Sequence, residues 1–313
     1  EAAVIRFVKM HGIGNDYVYV DVASDPALEG RFDGEAGRAL VRRMSDRHRG
    51  IGGDGVILVA RPREGAGKGA DVRMRMFNAD GSESEMCGNG VRCVAKFAHD
   101  RLGVTRNPMR VETGRGVLPI EYRAEGGRLV EATVDMGAPI LELERIPVDP
   151  ARVLGTGREH EWTLDGAAGE VRWTFVSMGN PHAVTFGVPL DGRAPGGGDL
   201  LGTALGPETE THPAFPRRVN VHIAEVVSSR EARMRTWERG AGLTQACGTG
   251  ACAVLVAGVL TGRLQRDALI RLPGGDLRIR WDEGVGEGER ADAAGHVFMT
   301  GPAEEVFEGV WMG

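Results

Sequence analysis

No stretch of this sequence is apolar for long enough to cross a bilayer. The longest apolar run, Ala251 to Leu260, falls short of the about 18 residues a spanning helix needs, so a buried helix is expected there. Basic runs are also missing. Net charge is −6, and Arg42-Arg43 and Arg217-Arg218 are short pairs that read as solvated surface, which argues against a nucleic-acid partner. Glu1 to His11 hold no apolar core of signal-peptide length, and the chain opens without Met, as expected of a processed or trimmed start. Cysteine is scarce. Four residues at Cys87, Cys93, Cys247 and Cys252 have neither the density of a disulfide framework nor the Cys-x-x-Cys spacing of a structural zinc site. The expectation is a cytoplasmic chain with free thiols, no metal and no membrane partner. No Walker sequence and no Gly-x-Ser-x-Gly elbow occurs.

What is present is a duplication. A length of 313 residues fits two domains of about 150 residues each. Met74-Arg75-Met76-Phe77 is echoed by Met234-Arg235-Thr236-Trp237, and Cys87-Gly88-Asn89-Gly90 by Cys247-Gly248-Thr249-Gly250. Both pairs share one offset, 160 residues. A looser echo links Gly14-Asn15 with Gly179-Asn180. Solenoid repeats recur every 20–50 residues or so, so this period marks a duplicated domain. Two such domains are expected to form a ligand cleft with pseudo-twofold symmetry.

Helices are predicted over Glu35 to Asp46, from about Asn89 to Gly103 and from about Thr249 to Gly262, with a shorter one around Asp199 to Leu205. Gly55 to Val59 and Arg218 to Ile223 read as strands. Glu64 to Gly69, Pro195 to Asp199 and Glu283 to Gly295 read as surface loops. The second Cys-led helix is apolar nearly all round, so it should be buried on every side. The fold class is α/β in the broad sense (α+β mixed): two pseudo-symmetric domains, each a sheet wrapped around a central helix.

A cysteine placed just before a helix feels the positive end of the helix dipole, which favours thiolate. Glycines there let the backbone approach a ligand, and unpaired N–H groups bind carboxylate oxygen. Two such elements suit removal of an amino acid's α-proton by one thiolate and its return by the other thiol on the opposite face, with the carboxylate held by both helix starts. Such chemistry needs no cofactor. The competing reading of Cys87 and Cys247, small buried hydrophobes, fits their polar Gly-rich contexts less well. It fits Cys93 and Cys252, which lie among apolar neighbours. Gly248-Thr249-Gly250-Ala251-Cys252-Ala253 matches a dinucleotide fingerprint, but the residues before it do not form an apolar strand.

Asn78-Ala79-Asp80-Gly81 and Glu238-Arg239-Gly240 occupy equivalent places in the repeat. The difference fits an asymmetric substrate: Arg239 could pair with a second carboxylate, and Glu238 or Asn78 could hold an ammonium. Asn78 to Gly81 also reads as an ordinary turn. Asn180-Pro181-His182 is turn-like too, and His182 could tune a nearby thiol.

Taken together, KMHGIGNDYV (Lys9–Val18), FNADGSESEMCGNGVRC (Phe77–Cys93), GNPHAV (Gly179–Val184), RVNV (Arg218–Val221), ERGAGLTQACGTGACA (Glu238–Ala253) and MTGPAEEVFEG (Met299–Gly309) resemble the diaminopimelate epimerase family over almost the whole chain. The resemblance implies a PLP-independent homodimer converting LL-2,6-diaminopimelate to the meso form in lysine and peptidoglycan synthesis. It implies barrel-like domains over 1–132 plus 300–313 and over 133–299. It implies that Cys87 and Cys247 are acid and base, and that Gly88, Asn89, Gly248 and Thr249 bind the reacting carboxylate. Asn15, Asn78, Asn180, Asn220, Glu238 and Arg239 would bind substrate, with His182 and Glu238 adjusting the thiols. Three positions depart from the family pattern: Gly55 follows Asp54 where many members have Gln, Leu243 replaces a frequent Glu, and Phe307 replaces a Tyr that some members use at the dimer contact.

Proline racemases and hydroxyproline epimerases share the chemical design but typically carry His where this chain has Asn89, and they need no clamp like Glu238-Arg239. An inactive ligand-binding relative would not need both cysteines. Replacing either Cys87 or Cys247 with Ala is expected to abolish racemisation in D₂O; substantial epimerase activity in either variant would rule out the two-thiol scheme.

Overall fold

The computed structural model describes residues 4–85, 87–165, 171–284 and 295–313. The chain divides into two compact units, Glu1–Asp135 with Thr300–Gly313, and Met136–Met299. The architecture is mixed α+β and dominated by sheet.

The first unit contains β1 (Ile5–Gly12), β2 (Asn15–Asp21), β3 (Gly55–Ala60), β4 (Val72–Asn78), β5 (Glu83–Ser84), β6 (Met109–Thr113), β7 (Gly116–Glu125) and β8 (Arg128–Asp135), with helices α1 (Gly34–Ser45) and α2 (Gly88–Leu102). β1 and β2 are antiparallel, β2 and β3 parallel, and β3 and β4 antiparallel. β4 takes β5 antiparallel and β6 parallel, and β6, β7 and β8 form a meander.

The second unit opens with a small hairpin, β9 (Val153–Gly155) and β10 (Trp162–Leu164). It continues with β11 (Thr174–Ser177), β12 (Pro181–Thr185), helix α3 (Gly206–Glu210), β13 (Asn220–Ser228), β14 (Glu231–Glu238), β15 (Gly242–Thr244), helix α4 (Gly248–Leu260), β16 (Asp267–Leu272), β17 (Gly275–Trp281) and the first half of β18 (Val297–Pro302), whose residues from Thr300 belong to the first unit. Its pairings repeat those of the first unit: β11–β12 antiparallel, β12–β13 parallel, β13–β14 antiparallel, β14–β15 antiparallel, β14–β16 parallel and β16–β17 antiparallel. The chain then re-enters the first unit, where β19 (Glu304–Trp311) pairs antiparallel with β1 from Ile5↔Trp311 to His11↔Glu304.

Strand register makes the duplication residue-specific. Val56 pairs with Phe77 and Val221 with Trp237, while Val18 pairs with Val56 and Ala183 with Val221. Asn15 therefore corresponds to Asn180, Tyr17 to His182 and Ile57 to His222. The cross-strand partners Met76 and Thr236 also correspond.

The sheet of each unit wraps its Cys-led helix. α2 packs on β1, β2, β3, β4, β6 and β8, and α4 on β11, β12, β13, β14, β16 and β17. β3 is buried along its whole length, as its unbroken apolar sequence requires. Val56, Leu58 and Ala60 join an outer core with Leu40, Val41 and Met44 of α1, and Ile57 faces inward against Gly90 of α2. In the second unit Val221 and Ile223 face an outer core with Trp173 and Phe175, and His222 takes the inward place against Gly250. α4 is buried from Gly250 to Gly258, as an all-round apolar helix must be.

Local differences from expectation have simple causes. α2 ends at Gly103, which is left-handed with φ +73° and returns its N–H to the Ala98 carbonyl. Around Asp199 to Leu205 the chain makes a wide π-type turn, Leu201–Leu205, that runs into α3. Arg218 is left-handed at φ +57°, so β13 begins only at Asn220. Asn180-Pro181-His182 is not a free turn, because Pro181 opens β12 and His182 is a strand residue. Asn78 ends β4, with Ala79 to Gly81 forming the turn beyond it. Most of the expected loop Glu283 to Gly295 lies outside the described residues. Among the described residues no helix is long and apolar enough to cross a membrane.

Truncating the α4 core should test this packing. Leu255, fully buried, changed to Ala is expected to cost about 2–5 kcal/mol in denaturant unfolding. The exposed Leu243, changed to Ala, should stay within about 0.5 kcal/mol.

Candidate active site

Both cysteines cap their helices. Cys87 has φ −133° and ψ 126°, and Cys247 has φ −134° and ψ 100°; neither thiol caps its own helix. The first helical bonds are Val91 N–H to the Cys87 carbonyl and Ala251 N–H to the Cys247 carbonyl, each 2.9 Å. The N–H groups of residues 88–90 and 248–250 therefore lack partners four residues back in the helix, with the Gly250 N–H turned to the Cys247 sulfur, and Gly88, Asn89, Gly248 and Thr249 head their helices. The short strand β15 before α4 is antiparallel to β14 with Leu243 exposed. That is a hairpin return and not the buried parallel strand of a dinucleotide site.

In the first unit, Cys87 Sγ donates to Asn15 Oδ1 at 3.4 Å. Asn15 Nδ2 donates to Asp54 at 2.7 Å, and Asp54 is held by Arg47 and by the Asp16 N–H. Tyr17 lies in the same cluster; burial pushes its phenol up, with the Cys87 and Asp54 charges adding to the effect. Asn89 is buried with its Oδ1 unpartnered. Asn78 Nδ2 donates to Ser82 within the turn. Gly55 is fixed by space: a Cβ there would lie 1.9 Å from the Phe77 carbonyl oxygen.

In the second unit, Cys247 meets Thr249 Oγ1 at 3.7 Å, and Asn180 Nδ2 donates to the same Oγ1 at 3.4 Å. Asn220 spends its amide internally, donating to the Pro181 carbonyl at 3.0 Å and accepting from the Arg239 N–H at 2.9 Å. The Arg239 side chain donates to the Arg217 carbonyl, and Thr244 Oγ1 holds Glu238 at 2.6 Å. Asn220 thus ties the start of β12 to the Arg239 backbone.

Two expectations need correction. Helix-dipole stabilisation does not dominate at Cys247. Burial pushes that thiol well up and the Glu238 carboxylate adds to the rise, against smaller help from Thr249 and the Gly250 N–H, so in this state the group is a thiol. His182 does not touch Cys247. Its ring lies on an inward strand position, bonded to Asn180 and His222 at 2.9 and 2.8 Å, and reaches the sulfur only through Asn180 and Thr249. Burial, then the neighbouring His222 and Arg239, pushes His182 well down, so it supplies no positive charge. Cys93 and Cys252 are fully buried as expected, and burial raises the Cys93 thiol to about 11.

Sequence reading missed Asp54, Tyr17, Thr244, His222 and Thr236. Only Tyr17 had a visible signal, since it follows the Gly14-Asn15 echo at the place His182 takes in the second copy.

The family model described as diaminopimelate epimerase matches residues 7–142 and 174–306, spanning both cysteine elements. The chain belongs to the diaminopimelate epimerase family. It is 47% identical to a diaminopimelate epimerase of Desulfovibrio desulfuricans, with 98% of each chain covered. It is 45% identical to one of Acetivibrio thermocellus, covering 97% of this chain and 98% of that one. The family places it among isomerases of an amino-acid substrate. A hydroxyproline epimerase of Agrobacterium vitis, solved with trans-4-hydroxy-L-proline, shares the fold at TM-score 0.64 and 17% identity, over 98% of this chain and 91% of that one. A phenazine biosynthesis protein of Bacillus anthracis shares it at TM-score 0.63 and 13% identity, over 99% of each.

The histidine pair gives a pH signature. His222 is pushed down to about 3 by burial, and His182 is also lowered. Unfolded, both titrate near about 6.5. Below that pH the unfolded chain binds more protons, so their contribution is full above pH 6.5 and falls as pH drops toward the folded values, by up to about 1.4 kcal/mol per pH unit for each ring. Urea midpoints should fall between pH 6.5 and 5, and His222→Gln should flatten the slope; equal slopes would contradict the assignment of neutral buried rings.

Proposed function

We propose that this chain epimerises LL-2,6-diaminopimelate to meso-diaminopimelate without a cofactor, with Cys87 and Cys247 as the two acid–base groups. The observation that carries the reading is a Cys-capped helix start present twice at one offset in a chain matched to this family over both copies. One cysteine, as thiolate, removes the α-proton; the electron pair delocalises into the α-carboxylate; the other cysteine, as thiol, delivers a proton to the opposite face. The unspent N–H groups at the two helix starts hydrogen-bond the carboxylate as its charge grows. Gly88, Asn89, Gly248 and Thr249 supply that grip, and Asn15, Asn78, Asn180, Glu238 and Arg239 orient the rest of the substrate. Asn220, bonded to the Pro181 carbonyl and the Arg239 N–H, is the remaining substrate-binding residue.

The buried environment of Cys247 supports a division of labour in the resting enzyme, with Cys247 as the proton donor. The pair titrates as a unit once substrate arrives. The reaction belongs to lysine and peptidoglycan precursor synthesis and takes place in the cytoplasm. The working form is a homodimer. In support, Val306, Phe307 and Val310 on β19 are all about half exposed, an apolar strip that self-association would cover.

Deuterium wash-in with LL-diaminopimelate, proline and trans-4-hydroxyproline side by side tests substrate class. Incorporation at the α-carbon of diaminopimelate alone is expected. Faster exchange with proline or hydroxyproline would assign the chain to the chemistry of its structural neighbours instead.

A further inference from the structure

Among the described residues, the second unit contains a run of hydrogen bonds, buried at its inner end, that the first unit does not repeat. From the interior outward it links Thr236 Oγ1 to His222 Nδ1 at 3.0 Å, His222 Nε2 to His182 Nδ1 at 2.8 Å, and His182 Nε2 to Asn180 Oδ1 at 2.9 Å. Asn180 Nδ2 then reaches Thr249 Oγ1 at 3.4 Å, and Thr249 Oγ1 lies 3.7 Å from Cys247 Sγ. His182, His222 and Thr236 are all buried, at 0%, 0% and 2% exposure.

The order of protons along this run follows from its two ends. Asn180 gives its NH₂ to Thr249, so its oxygen must accept from His182 Nε2–H. A neutral His182 then has a bare Nδ1, which must accept from His222 Nε2–H. His222 in turn has a bare Nδ1, which accepts the Thr236 hydroxyl proton. Thr249, already accepting from Asn180, is left free to donate to Cys247. Every donor points toward the sulfur.

We propose that His222 is a positioning residue of the second half-site: held as the Nε2–H tautomer by Thr236, it fixes His182 and Asn180 so that the run of donors ends on Cys247 Sγ. The inference rests on Cys247 being one of the two acid–base thiols. A buried thiolate needs compensation, and a chain of neutral dipoles aligned in one direction provides it cooperatively without placing a fixed positive charge beside the substrate. The charged groups that reach the run are Arg239, near His182, and Glu238, near Cys247. Gly250 makes room for the imidazole: a Cβ there would lie 2.4 Å from His222 Cε1 and 2.9 Å from Cys247 Sγ. In the first unit the places of His182, His222 and Thr236 are taken by Tyr17, Ile57 and Met76, so the layer beneath Cys87 is built from different groups.

The wild-type enzyme gives the first test. Nitrogen-15 NMR of histidine-labelled protein at pH 7.5 should show His222 and His182 both neutral and protonated on Nε2. An Nδ1–H form or a charged ring at either position overturns the proposal. The second test measures alkylation rate against pH, peptide by peptide, in His222→Ile, Thr236→Val and His222→Gln, each checked for folding by circular dichroism. Ile and Val remove the donor order, and their Cys247 midpoint should rise by about half to one pH unit, with a fall in kcat of up to about tenfold at little changed KM. The Cys87 midpoint should stay fixed. Gln accepts from Thr236 and donates to His182, so it should restore most of both readouts. Unmoved Cys247 midpoints in folded Thr236→Val and His222→Ile overturn the proposal. Failure of the underlying catalytic reading shows separately, as retention of epimerase activity in Cys247→Ser, and leaves the tautomer measurement intact.

Discussion

The structure depends on one arrangement made twice: a helix held inside its own sheet, with a cysteine at its N-cap and opening N–H groups that lack helix partners. A surface helix can leave its opening N–H groups to water. A helix wrapped by six strands has little water to offer, and the glycines at its start bring no side chain that could satisfy those groups. The unspent donors and the capping cysteine are thus consequences of the same burial. Donors left at that spot by the sheet suit an anion, as the proposed carboxylate grip requires.

Burial also sets the limit on what the cysteines can do unaided. The expected benefit of the helix dipole is present in direction, through the Gly250 N–H, but it is outweighed at Cys247 by desolvation and by Glu238. The two copies have diverged in the layer just beneath each sulfur. One copy uses Asn15, Asp54 and Tyr17, anchored to surface charges through Arg47. The other uses neutral side chains on β12, β13 and β14. The backbone framework has been kept, with each strand pairing repeated, while the chemistry inside it has become one-sided.

Much of this was legible in sequence because it follows from pattern. The shared offset of 160 residues identified the duplication, and the unbroken apolar face of Ala251 to Leu260 required a buried helix. The two Cys-Gly-x-Gly starts lay where the helices begin. What was not legible depends on register across strands. His222 looks like an ordinary polar residue on an alternating strand, and only its pairing with Thr236 and its approach to Gly250 give it a role. Asn220 reads as a substrate ligand by motif, and its bonds to Pro181 and Arg239 became visible only in the fold. His182 was placed near a thiol correctly in neighbourhood but not in contact, since distance along the chain says nothing about which way a strand residue faces.

The return of the chain at β19 carries a consequence for how the protein is made. β1 is synthesised before the whole second unit and its antiparallel partner β19 only after it. Throughout elongation the nascent first unit presents a bare β1 edge, open to mispairing with other chains. The second unit, continuous in sequence, faces no such wait. Synthesis of β19 is therefore the step that completes the sheet of the first unit, and a chain stalled before Thr300 would carry the second unit beside a first unit still lacking that strand.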